Sequence, residues 1–72
     1  MSKRVKVMLR DKMVLEGFDQ KRLAIATGLT ERTISELING KMKRYPKEAI
    51  EKIANVLGVK DINEILTLVE EE

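Results

Sequence analysis

Seventy-two residues are enough for one small domain and leave no room for a second. The chain has neither cysteine nor histidine, which excludes disulfides, thiolate or imidazole metal sites, and catalysis that depends on either side chain. Its net charge of +2 is unevenly spread: residues 1–60 hold all 14 Lys and Arg against 7 acids, whereas residues 61–72 hold 5 acids and no base.

The predicted elements are five helices. The first spans residues 3–16, with Val5, Leu9 and Met13 on one stripe and Met8 beside it; "RVKVML" alternates briefly, too short a signal to set against the helical stripe. The second follows Asp19, a good N-cap, and runs through Thr27, burying Leu23, Ala24 and either Ala26 or Thr27. Gly28-Leu29 is a tight connection, after which Thr30 caps a third helix reaching Asn39 with Ile34, Leu37 and Ile38 inward. "GKMKRYP" is a basic loop, and Pro46 suits the first turn of a fourth helix in which Ala49, Ile50, Ile53, Ala54 and Leu57 repeat at helical spacing. Asp61 and Glu64 form a capping-box start to a fifth helix, with Ile62, Ile65, Leu66 and Val69 sharing a face. Four glycines, at 17, 28, 40 and 58, fall where helix ends need a residue without Cβ. The expected fold class is therefore all-α, a compact five-helix domain over 1–72 that ends in an acidic tail, residues 70–72.

Two short helices joined by about three residues centred on a glycine must cross steeply, and this is the helix-turn-helix arrangement. It is placed here at residues 20–39. Ala24 stands where the two helices meet and a larger side chain would push them apart, Gly28 sits at the turn, and Ile34 rests on the body. Taken whole, "DQKRLAIATGLTERTISELINGKMKRYPKEAIEKIANVLGV" resembles the Cro/CI-type, lambda repressor-like helix-turn-helix domain of phage and bacterial repressors. The likeness runs from about Val5 to Leu68. It implies sequence-specific binding of double-stranded DNA by a small transcriptional regulator, a repressor in the usual case. A basic body also fits a polyanionic partner.

At about 100° per residue the outward face of the third helix carries Arg32, Ser35, Glu36 and Asn39, flanked by Glu31 and Thr33. The N-terminal part of such a helix meets base edges, so the base-contact candidates are Glu31, Arg32, Thr33, Ser35 and Glu36. Arg32 leads, because a guanidinium pairs bidentately with guanine O6 and N7. The resemblance points to Gln20 and Asn39 for phosphate contacts, and Gln20 also fits physically, at a helix N-terminus with free N–H groups. Lys41, Lys43 and Arg44 in the basic loop complete the phosphate set, with Lys21 and Arg22 behind them. Each lysine has an ordinary reading as a solvated charge, and Asn39 has one as a helix terminator. Arg32 and Glu36, spaced i, i+4, make either an ordinary surface pair or a unit in which Glu36 holds Arg32 or itself accepts from cytosine N4. Either functional role makes binding selective, since a glutamate repels phosphates elsewhere.

Two positions depart from the family pattern. Lys12 replaces an apolar residue, and its stem is expected to lie on the core with the charge in water. Tyr45 is a poor N-cap and is expected to pack against the body. No catalytic residue, metal or cofactor is expected, and no run of 18 apolar residues marks a membrane span; a cytoplasmic, nucleoid-associated protein fits. Val7, Val14 and Leu68 lie off the apolar stripes, and a homodimer through the fifth helix is the expected use of such surplus surface. The competing class is a protein-interaction module, antitoxin-like or an accessory subunit, on the same fold.

Overall fold

A computed structural model describes residues 2–71. Among these the chain forms four α-helices, one turn of 3-10 helix and a two-stranded antiparallel sheet. The order is β1 (Ser2–Val7), α1 (Leu9–Leu15), α2 (Gln20–Thr27), α3 (Glu31–Asn39), α4 (Lys47–Leu57), the 3-10 turn (Ile62–Glu64) and β2 (Leu66–Glu71). The fold is predominantly helical but not all-α, and the five-helix expectation is corrected at both ends of the chain.

At the N-terminal end, the expected helix over 3–16 is a strand followed by a short helix. The alternation of "RVKV" is what the backbone uses: Val5 and Val7 share one face of β1, and Arg4 and Lys6 the other. Leu9 and Met13 are buried on α1 as expected, while Val5 is 44% exposed on the ribbon. At the C-terminal end, the Asp61–Glu64 capping box is present. Asp61 accepts from the Asn63 amide at 2.9 Å, and Glu64 accepts from the Asp61 amide at 3.2 Å. It starts a single 3-10 turn and not a fifth helix. Ile65 ends that turn buried at 2% exposure, and the chain then pairs with β1 in the register Lys3↔Glu70, Val5↔Leu68 and Val7↔Leu66. The Met8 amide donates to the Ile65 carbonyl at 2.6 Å, tying the end of β1 to the start of β2.

A homodimer through a fifth helix therefore has no helix to use. Residues 70 and 71 of the expected acidic tail belong to β2, and residue 72 lies outside the described residues. Of the surplus apolar residues, Val7 is half-buried against the core, whereas Val14 is 74% and Leu68 63% exposed.

The helices between these ends follow their local signals. Asp19 accepts from the Arg22 amide at 2.7 Å and Thr30 from the Thr33 amide at 3.1 Å; each bond satisfies one amide that a helix start leaves unpaired. Gly28 and Gly40 close α2 and α3 in the left-handed region, at φ 76° and 66°, where a Cβ would meet its own backbone. Leu9, Met13, Leu23, Ala24, Ile34, Leu37, Ile53, Leu57 and Ile65 form one contiguous core, which draws on every helix and on the residue ahead of β2. Fully burying each large aliphatic among them contributes about 1.5–3 kcal/mol. No helix among the described residues is long and apolar enough to cross a membrane.

Candidate nucleic-acid interface

The rigid unit beneath the interface is the α2–turn–α3 pair. Leu23 and Ile34 are fully buried, Leu37 is nearly so, and Ala24 is buried between them, where its single methyl group permits close approach. The turn has a lock that the sequence reading did not single out. Thr27, given there only as an alternative to Ala26, is the one buried polar residue among those described. Its hydroxyl donates to the Leu23 carbonyl at 2.7 Å and accepts from the Leu29 amide at 3.3 Å. One side chain thus ties the backbone of α2 to an amide of the turn, which restrains the direction in which α3 departs. A threonine immediately before the turn glycine was the available signal, because Ser and Thr hydroxyls bond back to nearby backbone.

With Ile34, Leu37 and Ile38 turned inward, α3 presents its other side to solvent. Glu31, Arg32 and Asn39 are exposed, and Thr33, Ser35 and Glu36 are half-exposed. All five base-contact candidates and Asn39 thus lie on one helix, with none of them buried. Contacts along the helix link them in pairs. The Thr30 and Thr33 hydroxyls are 2.9 Å apart, Arg32 Nε donates to Glu36 Oε1 at 2.9 Å, and Asn39 Nδ2 donates to Ser35 Oγ at 3.4 Å. Glu31 stands alone in the first turn of α3, where a carboxylate meets the positive end of the helix dipole; stability alone accounts for an acid there. Asn39 is not needed to terminate α3. The Gly40 amide donates to the Leu37 carbonyl, and the Lys41 amide to that of Glu36.

Beyond Gly40 the chain runs through the basic loop to α4. Lys41, Lys43 and Arg44 are exposed, while Met42 and Tyr45 are half-buried against the core. The two apolar anchors hold the loop down and turn the cations outward, and Tyr45 packs against the body as expected. None of the three cations forms an ion pair among the described residues, nor do Lys21 and Arg22 on α2, whereas Lys3, Lys12, Arg32 and Lys47 each have a carboxylate partner. Arg4, Lys6, Arg10, Lys52 and Lys60 are likewise in no ion pair among the described residues, so what sets Lys41, Lys43 and Arg44 apart is their place in the loop that directly follows α3. Gln20 occupies the first position of α2, half-exposed, at the opposite end of the unit from Asn39. A Cβ placed on Gly40 would lie 3.7 Å from Val7 Cγ2, so the inner end of β1 borders the C-terminus of α3.

Away from this face, the Lys12 charge is not out in water as expected but paired with two carboxylates. Its side chain is only 16% exposed, and its ammonium reaches Glu64 Oε1 at 3.2 Å and Glu16 at 3.8 Å. Glu64 is held below the ordinary carboxylate range, first by the amides of Lys60 and Asp61 and then by the Lys12 ammonium. A shallow groove of about 330 Å³ lies alongside, lined by Met8, Asp11, Lys12, Leu15, Asn63 and Glu64, and no residue of the α3 face takes part in it. Among the described residues no group of three or more carboxylates is placed to hold a metal ion.

In comparison with known protein families, the model of the Cro/C1-type HTH DNA-binding domain matches residues 6–71. No curated protein and no solved structure matches significantly.

Proposed function

Because the chain belongs to the Cro/C1-type HTH DNA-binding domain family, we propose that it binds double-stranded DNA sequence-specifically as a small transcriptional regulator, a repressor, with α3 in the major groove. In this reading Glu31, Arg32, Thr33, Ser35 and Glu36 meet base edges, and Gln20, Asn39, Lys41, Lys43 and Arg44 hold phosphates. The observation that supports it is a polar, solvent-facing helix followed directly in the chain by three exposed cations that form no ion pair among the described residues. Cations without partners release counterions when they meet phosphates, which supplies affinity whatever the sequence. The mixed polar face of α3 then supplies discrimination. Two copies on a near-palindromic site, half-sites one turn apart, complete the reading.

A salt titration of binding to duplex DNA tests it. Wild type loses affinity steeply as salt rises, and Lys43→Ala weakens all sequences with a salt slope smaller by about one. Binding that is flat in salt and indifferent to Lys43→Ala would contradict the proposal and favour a protein-interaction module.

A further inference from the structure

The pairing of Arg32 with Glu36 bears on what this helix reads. Of the guanidinium nitrogens, Nε is the one in contact with Glu36, at 2.9 Å. Nε carries a single hydrogen, so the contact consumes the side edge of the guanidinium. The end edge, Nη1 with Nη2, makes no hydrogen bond among the described residues, and the side chain is 88% exposed. Among base edges in the major groove, guanine alone offers two adjacent acceptors, O6 and N7, to such a fork. An arginine left free samples many rotamers; one whose side edge is held one helical turn away presents the fork in a restricted direction.

Glu36 is itself half-exposed, and its second oxygen, Oε2, has no partner among the described residues. An ionised carboxylate only accepts, so guanine O6/N7 and thymine O4 repel it. Adenine N6 stands beside the acceptor N7, whereas cytosine presents N4 with no acceptor of its own in the major groove. Four residues of helix rise about 6 Å, roughly one to two base-pair steps.

We infer that Glu36 is the positioning residue for Arg32, holding its Nη edge on a guanine, and that its free oxygen selects a cytosine one or two base pairs away. This inference rests on the proposed DNA-reading function and narrows it to a recognition unit of two side chains and two base pairs.

The test is selection from a randomised duplex pool with wild type, Glu36→Ala and Glu36→Gln, alongside the affinity of each for unselected duplex and a melting curve. Wild type is expected to enrich a guanine with a cytosine one or two pairs away. Glu36→Ala lowers the guanine preference about tenfold and erases the cytosine preference, while affinity for unselected duplex rises because a negative charge has left the groove. Glu36→Gln keeps an oxygen for Nε but adds a donor, so it restores the guanine column and not the cytosine column. A variant that had merely lost fold would lose specific and non-specific binding together and would melt earlier. If wild type enriches a site and Glu36→Ala leaves its guanine column unchanged, the inference is overturned while the DNA-reading function stands. If no variant, wild type included, enriches any sequence, the function itself fails and the inference with it.

Discussion

The α2–turn–α3 unit and the terminal ribbon are built from the same kinds of residue, yet they are held by different means. The unit is stabilised from within: two side-chain caps, a left-handed glycine at each helix end, a threonine lock across the turn, and Leu23, Ala24, Ile34 and Leu37 beneath. The ribbon pairs residues 2–7 with 66–71, across nearly the whole chain, and only its inner end, Val7 and Leu66, packs on the core. Val5 and Leu68 extend along the same face at 44% and 63% exposure, and the Lys3–Glu70 pair beyond them is open to water. A two-stranded ribbon on its own is marginal. Buried packing thus lies beneath the face where bases would be read, and the outer ribbon is largely exposed.

Substitutions sharpen this contrast, beginning with the largest expected effect. Leu37→Ala, beneath α3, removes a side chain that is 1% exposed and is expected to cost about 2–5 kcal/mol, a large share of a small domain's stability. Urea unfolding measures it, and a cost under about 1 kcal/mol would mean that α3 is not seated as described. Thr27→Val keeps the shape but leaves the Leu29 amide and the Leu23 carbonyl without their shared hydroxyl; the expected loss is about 1–2 kcal/mol. If stability and α3 amide protection are both unchanged in Thr27→Val, the lock is not what orients the helix.

Glu64, in the 3-10 turn ahead of β2, pairs with Lys12 of α1, outside both regions, and its effect is smaller and depends on pH. Its carboxyl is depressed in the folded chain by the Lys60 and Asp61 amides and then by Lys12. The stabilisation is fully present above the unfolded pKa and is lost as pH falls through the lowered folded value. As pH falls from neutral through the acid range, wild type should therefore lose melting temperature more steeply than Glu64→Gln. Parallel acid limbs for the two proteins would contradict that assignment. Smallest of all is Leu68→Ala on the ribbon, expected to change stability by no more than about 0.5 kcal/mol. A loss above about 1.5 kcal/mol would show that the ribbon face is covered in solution and that the contrast between the two regions is overdrawn.

What could be read from the sequence divides along the same line. The helix-turn-helix unit announces itself in short-range patterns: Asp19 and Thr30 three residues ahead of the amides they cap, glycines at 28 and 40, and apolar residues at helical spacing. The outward face of α3 follows from the same periodicity, and so does the Arg32–Glu36 spacing. The ribbon gives no comparable signal. Ile62, Ile65, Leu66 and Val69 have helical spacing and follow a real capping box, so local pattern favours a helix. What overrides it is a partner strand about sixty residues away or more, and the four-residue alternation in "RVKV" is too short to declare it. Thr27 escaped for a related reason. Its value lies in bonding two backbone groups across a turn, and hydrophobic periodicity does not register that. The anchoring of the basic loop by Met42 was missed as well, although a lone apolar side chain within a run of cations was its visible trace.

The most direct test of the central claim is a residue-by-residue map of backbone amide shifts as an enriched duplex is added to the labelled full chain. Large shifts are expected at residues 31–44 and at Gln20, with the outer ribbon, residues 2–5 and 68–71, nearly unmoved. Shifts concentrated on the ribbon, with the α3 face silent, would contradict that claim and place the DNA-binding surface elsewhere on the molecule.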